Sequence, residues 1–297
     1  MLGHTEKYAL SPSRGNTQKR CIGCALIILL TACGSPPAKI SPMLENAVNY
    51  NLQGRQFFQS GDYKNALASY NKALQIDKSI ENTDGIALNL FNIAQTHIAL
   101  SQFDAAHSSL DEVLGNAAGL FQADQLAQAA VQKSIIFISQ GQSKSTGEWI
   151  NKADALCGDA CRQKGLILNI QARFALDEHQ SDAAIDLANR ALAIHKKEML
   201  VPEMANSLRL IGEAHLDKQL SGKAIPFFQE ALQLDKSQGA PAKISTDLLL
   251  LGMAHKDSKD QSALFFRRAI AVSHAAGDLA GEQRAAYALE SLLTAGK

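Results

Sequence analysis

Residues 54–74 read GRQFFQSGDYKNALASYNKAL, and the unit inside them, A-x3-(F/Y/L)-x2-(A/V)-L, decides the fold because it returns down the chain. Ala66, Tyr70, Ala73 and Leu74 come back as Ala106, Leu110, Val113 and Leu114, as Ala184, Ala188, Ala191 and Leu192, and as Ala224, Phe228, Ala231 and Leu232. Twelve residues ahead of each leading alanine stands a small residue: Gly54, Ala94, Ala172 or Gly212. Each copy therefore predicts a helix with a small-residue notch, a short turn, and a second helix whose alanines permit close packing. Such a pair cannot bury its own apolar face, so a core forms only when successive pairs stack. The expected fold is all-α: an α-solenoid of about six helix pairs plus a C-terminal capping helix.

Two weaker copies are in phase, Ser134 with Thr146, Ile150 and Ala153, and Gly252 with Phe266, Ala269 and Ile270. Thr146 and Asp154 replace an alanine and a leucine, which predicts looser packing in the third pair. The sixth copy is two residues shorter between Gly252 and Ala269, a shortening assigned to its turn. Gly281 to Leu293 carries the last amphipathic helix, a cap. Ser60-Gly61-Asp62, Gln140-Gly141, Ser221-Gly222 and Gly277-Asp278 fall where turns or helix starts are needed. The pattern over roughly 45–297 resembles the tetratricopeptide repeat in its longer-period bacterial variety. The spacing near 40 alone would also suit HEAT repeats, whose period is about 40–47 against about 34. The alanine ladder and the notch favour tetratricopeptide pairs.

At the N-terminus, Lys19-Arg20 precede the apolar run Cys21 to Leu30, and Leu30-Thr31-Ala32-Cys33 closes it. A basic flank, a short apolar run and small residues form a secretory signal over 1–32. The run is too short to span a bilayer, which takes about 20 apolar residues. Leu-Thr-Ala-Cys resembles the bacterial lipobox, which implies that Cys33 is acylated and starts the mature chain; the alternative is an ordinary cleaved signal. Gly34 and Ser35 follow instead of an aspartate, which by that resemblance implies an outer-membrane lipid anchor facing the periplasm. Residues 33–44, with Pro36, Pro37 and Pro42, are expected to be the lipidated cysteine and an extended tether.

Removing Lys7, Arg14, Lys19, Arg20 and Glu6 with the signal leaves a net charge of −3 from a neutral chain. No basic tract supplies a nucleic-acid footprint. Cys157 and Cys161 remain as a pair, expected either as a disulfide pinning its turn or as free thiols; the spacing is not C-x-x-C and no second ligand pair accompanies it. His97, His215 and His255 follow the notch residues by three places, a periodicity that points to packing and not to a metal. No H-E-x-x-H, phosphate loop or nucleophile elbow is present, so no enzyme, metal or cofactor is expected.

What remains is the face of the first helices. Residues three before, one after and four after each notch share a helical stripe. The stripes are Asn51, Arg55, Phe58; Phe91, Gln95, Ile98; Val131, Ile135, Ile138; Asn169, Arg173, Leu176; Arg209, Glu213, Leu216; and Leu249, Met253, Lys256. An apolar middle with arginines to either side marks either an interaction groove or a strip buried by tight curvature. The carboxylate clamp of chaperone-binding tetratricopeptide domains is not matched: Asn92 suits one member, but Asn51 and Arg55 stand where a lysine and an asparagine are expected. The reading is a non-enzymatic adaptor on the outer membrane that binds protein partners through peptide or helical segments, in envelope, secretion or pilus assembly. The alternative is an accessory subunit of an envelope hydrolase or a periplasmic ligand-sensing solenoid. Ile135 and Ile138 are the expected anchors, with Arg55, Arg173 and Arg209 aligning acidic groups.

Overall fold

A computed structural model describes residues 41–115, 119–158 and 161–294. The signal segment and Cys33 lie outside them. Six helix pairs follow in order: α1 (Pro42–Gln59) with α2 (Tyr63–Ser79), α3 (Thr83–Ala99) with α4 (Phe103–Leu114), and α5 (Ala123–Ser139) with α6 (Ser143–Cys157). Next come α7 (Lys164–Asp177) with α8 (Ser181–Glu198), α9 (Val201–Asp217) with α10 (Ser221–Ser237), and α11 (Pro241–Ala254) with α12 (Lys259–Ala276). The cap α13 (Leu279–Thr294) completes the array. Among the described residues there is no strand, and no helix is long and apolar enough to cross a membrane.

The expected tether ends earlier than residue 44. Ser41 caps α1, its Oγ accepting from the Leu44 N–H at 3.2 Å, and Pro42 takes the first helical position, where its missing N–H has no helical partner to lose.

The turns explain the 40-residue period as two units of 20. Gly61, Glu81, Ser101, Gly141, His179, Met199, Gln219, Gly239 and Gly277 all have positive φ, and the next residue's N–H bonds back to a carbonyl five residues earlier, as Asp62 does to Phe57. This is a Schellman ending, in which the left-handed residue satisfies carbonyls the helix leaves open. Glycine fits it without strain and L-residues do not. Met199 is 81% exposed at φ 56° and packs on little. Met199→Gly is expected to stabilise the protein by about 0.5–1 kcal/mol, after allowing for the greater freedom of glycine in the unfolded chain. A melting temperature no higher than that of Met199→Ala would refute this account of the turn.

Within each pair the notch is matched by size. Tyr70, Phe228 and Phe266 fill the notches of Gly54, Gly212 and Gly252: a Cβ on Gly54 would stand 2.6 Å from the Tyr70 ring, and one on Gly212 or Gly252 would overlap its partner ring. Where the first helix offers Ala94 or Ala172, the second offers the smaller Leu110 or Ala188, all four buried.

Two expectations are corrected. The sixth copy is shortened in its helix and not in its turn: α11 ends two residues after Gly252, whereas α9 continues five residues past Gly212. The third pair is not loose, since α5 packs on α6 as closely as any pair; its joints to the neighbouring pairs are the sparse ones. Eight residues separate α4 from α5 and six separate α6 from α7, against two or three between the other successive pairs.

Candidate functional site

Among the described residues each odd-numbered helix meets the next odd-numbered helix, except α5 and α7, while successive even-numbered helices share at most a marginal contact. In a curved double layer the closer-spaced helices are the inner ones, so the odd helices line the concave side. The stripe residues lie on these helices, but they divide into two groups.

In three of the stripes the first position, Asn51, Asn169 or Arg209, faces the next pair and not the groove. Asn51 Nδ2 donates to Asn89 Oδ1 at 2.7 Å, and Asn89 Nδ2 donates to Asp77 Oδ2 at 2.7 Å. Burial pushes the Asp77 carboxyl up, and hydrogen bonds from Asn82 and Asn89 pull it back. Asn169, His195 and Ser207 form a second cluster, with Ser207 Oγ 2.8 Å from Asn169 Oδ1 and 3.1 Å from His195 Nδ1. His195 is fully buried, which lowers its pKa from the ordinary histidine value. In the third, Arg209 pairs with Asp235 and, at 3.0 Å, with Asp247. The joint between α5–α6 and α7 has Val131, Cys157 and Ile167 at these positions, all in one apolar cluster.

These clusters overturn part of the expected groove. Arg209 is 4% exposed and cannot align a partner's acidic groups. Arg173 is committed to Glu213, both guanidinium nitrogens donating to its carboxylate at 2.6 and 2.7 Å. Asn51 is engaged with Asn89; Asn169 and Arg209 are buried, and Phe91 and Leu176 are core. Phe58 and Leu216 are half-buried against apolar clusters, and Ile138 joins that of Ile150 and Ala153. Sequence reasoning missed the triads because each draws on three helices. The signal was present: Asn51, Asp77 and Asn89 are spaced by 26 and 12 residues, as are Asn169, His195 and Ser207, and Arg209, Asp235 and Asp247.

The open site draws on residues of all three stripe positions. Arg55, Gln95 and Ile135 are exposed, Ile135 by 38%. Where α5 and α7 part, a cavity of about 390 Å³ opens between α3, α5 and α7. Gln95, Gln128, Gln132 and Gln163 ring a floor of Ile98, Val131, Ile135 and Leu166. No charged residue lines it. The Gln132 Oε1 is buried with no donor among the described residues. A ring of carboxamides can donate to and accept from a peptide main chain, and the aliphatic floor can take a side chain.

Cys157 and Cys161 are joined, with Cα atoms 5.2 Å apart, at the α6–α7 connector. His215 stacks on Phe227 and His255 on Phe265, with ring centroids 5.6 and 5.2 Å apart, while His97 Nδ1 lies 2.8 Å from Gln102 Oε1. The described residues hold no cluster of histidine, cysteine and carboxylate side chains that could bind a metal.

Residues 45–118, covering most of the first two pairs, match the tetratricopeptide repeat family. No curated protein matches the chain. Among solved structures it is similar to the APC/C hetero-tetramer Cut9–Hcn1, at 18% identity and a TM-score of 0.63, covering 84% of this chain and 43% of that one. It thus spans less than half of that relative. It is also similar to aspartyl phosphate phosphatase F from Bacillus subtilis, at 14% identity and 0.60, covering 85% and 79%. A third is a Rap protein complexed with Competence and Sporulation Factor, at 14% identity and 0.62, covering 84% and 71%. At these identities the likeness is one of fold. Helix order, notch register and these likenesses agree that the chain folds as an all-α solenoid of the tetratricopeptide type.

Proposed function

We propose that this protein is a non-enzymatic adaptor that grips an uncharged, apolar segment of a partner protein in the carboxamide-ringed pocket between α3, α5 and α7. The pocket carries the proposal. Its apolar floor gains from excluding water, while its four glutamines can satisfy the main-chain groups that an extended segment brings with it. Arg173 and Arg209, already paired inside the protein, take no part. The Cut9–Hcn1 hetero-tetramer and the Rap protein complexed with Competence and Sporulation Factor are similar folds bound to another molecule, which supports a binding role.

Selection of a random linear-peptide display library tests the proposal. The intact protein is expected to enrich peptides with neutral, aliphatic centres, and Ile135→Asp to lose that enrichment while keeping wild-type helicity and melting temperature. Loss of a central apolar anchor commonly costs 2 kcal/mol or more of binding, roughly thirtyfold or beyond. Undiminished enrichment on the folded variant would move the interface elsewhere.

The adaptor is held at the outer membrane, facing the periplasm, by acyl chains on Cys33, as the sequence Leu30-Thr31-Ala32-Cys33 implies. A single acyl chain gives only reversible attachment, whereas more than one anchors stably. Cys33→Ser is expected to move the protein from the membrane to the soluble fraction. Equal retention of the variant in fractionated envelopes would refute the anchor.

A further inference from the structure

We infer a second binding site, at the C-terminal end of the array, for an acidic peptide segment that carries a large apolar side chain. The inference rests on the adaptor reading but concerns other helices and another chemistry. A cavity of about 500 Å³ lies between α11, α12 and α13. Two stripes face it. Leu249 and Met253 follow one another at i and i+4 on α11, with Lys256 in the turn just beyond it, and Arg284, Tyr287 and Ser291 stand at i, i+3 and i+7 on α13. The Gly252 notch, filled by the Phe266 ring, lies at its base.

Three features keep this groove open. α13 is the last helix of the array, so no further pair packs on it among the described residues. It rests chiefly on α12 and touches α11 lightly. α11 also lacks the final turn that α9 has, which ends its wall early. Met253 is left 45% exposed and Tyr287 74% exposed, large side chains that a partner would cover.

Charge selects the occupant. Each long wall carries one cation, Lys256 in the turn that follows α11 and Arg284 on α13, and both are exposed with no ion pair among the described residues. No carboxylate lines the cavity. This differs from Arg173 and Arg209, which the fold pairs with its own acids. An apolar side chain seated between Met253 and Tyr287, with carboxylates beside it, would meet Lys256 and Arg284 in surroundings that the apolar walls partly dry. The α3–α5–α7 pocket offers no such cation and favours a neutral segment.

The same display selection on the full protein separates the two sites. A second class of enriched peptides is expected, with an aromatic or long aliphatic residue within three positions of Asp or Glu. This class should disappear on Lys256→Glu with Arg284→Glu and on Met253→Asp, yet survive Ile135→Asp. All these positions are exposed, and circular dichroism is the check that each variant folds. For one synthesised peptide of the class, replacing its acids by Asn and Gln should weaken binding about tenfold in fluorescence anisotropy, and raising the salt should weaken it too. If the acidic class never appears, or is indifferent to the charge reversal, this site is refuted; the adaptor reading stands if the neutral class is still lost on Ile135→Asp. Binding of dodecanoate at this groove without any peptide class would overturn the inference in favour of a lipid ligand.

Discussion

Arg209→Ala is expected to destabilise the protein by about 3–5 kcal/mol, the range typical of removing one partner from a buried ion cluster. Arg209 sits where α9, α10 and α11 meet, and its Nη1 donates to both Asp235 and Asp247. All three side chains are at most 4% exposed, so two carboxylates share one guanidinium away from water. Burial pushes the Asp247 carboxyl up to about 7; Arg209 opposes that shift and the charge of Asp235 adds to it. The Asp247 Oδ2 has no hydrogen-bond partner among the described residues, so a charge there would be buried without a donor to offset it. Because the folded pKa lies above the unfolded value of about 3.9, the folded state holds the extra proton between about pH 4 and 7. Stability from this group is therefore fully present below that window and is lost as pH rises through it, at up to about 1.4 kcal/mol per pH unit. His107, His195 and His215 act in the opposite sense, since burial lowers their pKa values and their contribution is lost as pH falls below about 6.5. Comparison of wild type with Asp247→Asn isolates the carboxyl. The Asn variant leaves Arg209 and Asp235 balanced, so its thermal stability at pH 8 should equal or exceed that of wild type, with no fall between pH 5.5 and 8 from this site. An Arg209→Ala protein within about 1 kcal/mol of wild type, or parallel pH profiles for wild type and Asp247→Asn, would show that the triad is not buried as described.

The helical pairs were legible because their signal is local and repeated. Gly212, Ala224, Phe228 and Ala231 belong to one pair, and their spacing is dictated by two helices and one turn. The groove was less legible because one stripe position serves two purposes. A residue three before the notch lies on the rim between the concave face and the next pair, and helical periodicity alone does not say which side its head group takes. The partner decides: Asn51 turns to Asn89, and Arg209 to Asp235 and Asp247, because burying those groups unpaired would cost more than the turn. At the next stripe position the outcome also varies: Arg173 is held by Glu213 of the next pair, while Gln95 and Ile135 line the cavity between α3, α5 and α7. The parting of α5 from α7 could not be read at all, since nothing in the stripe spacing distinguishes this joint from the others.

Size matching across the notch predicts a strong non-additivity. Gly212→Ala should destabilise by about 1–3 kcal/mol, although alanine in place of glycine within a helix ordinarily gains about 1 kcal/mol in propensity. Overpacking wins because the added Cβ would overlap the Phe228 ring, which is 0% exposed and has no room to withdraw. Phe228→Leu alone should also destabilise, by roughly 1–2 kcal/mol, since it leaves space above a glycine that cannot fill it. Together the two changes recreate the pairing of Ala94 with Leu110, which the protein already uses one pair from its N-terminal end. The double variant should then be at least 1 kcal/mol more stable than the sum of the single effects allows, a coupling expected only of residues in contact. Denaturant titration of wild type, both single variants and the double variant measures it. Additive effects, or a Gly212→Ala protein stabilised by the amount that helix propensity alone provides, would mean that Phe228 does not fill the Gly212 notch and that the register of the fifth pair is wrong.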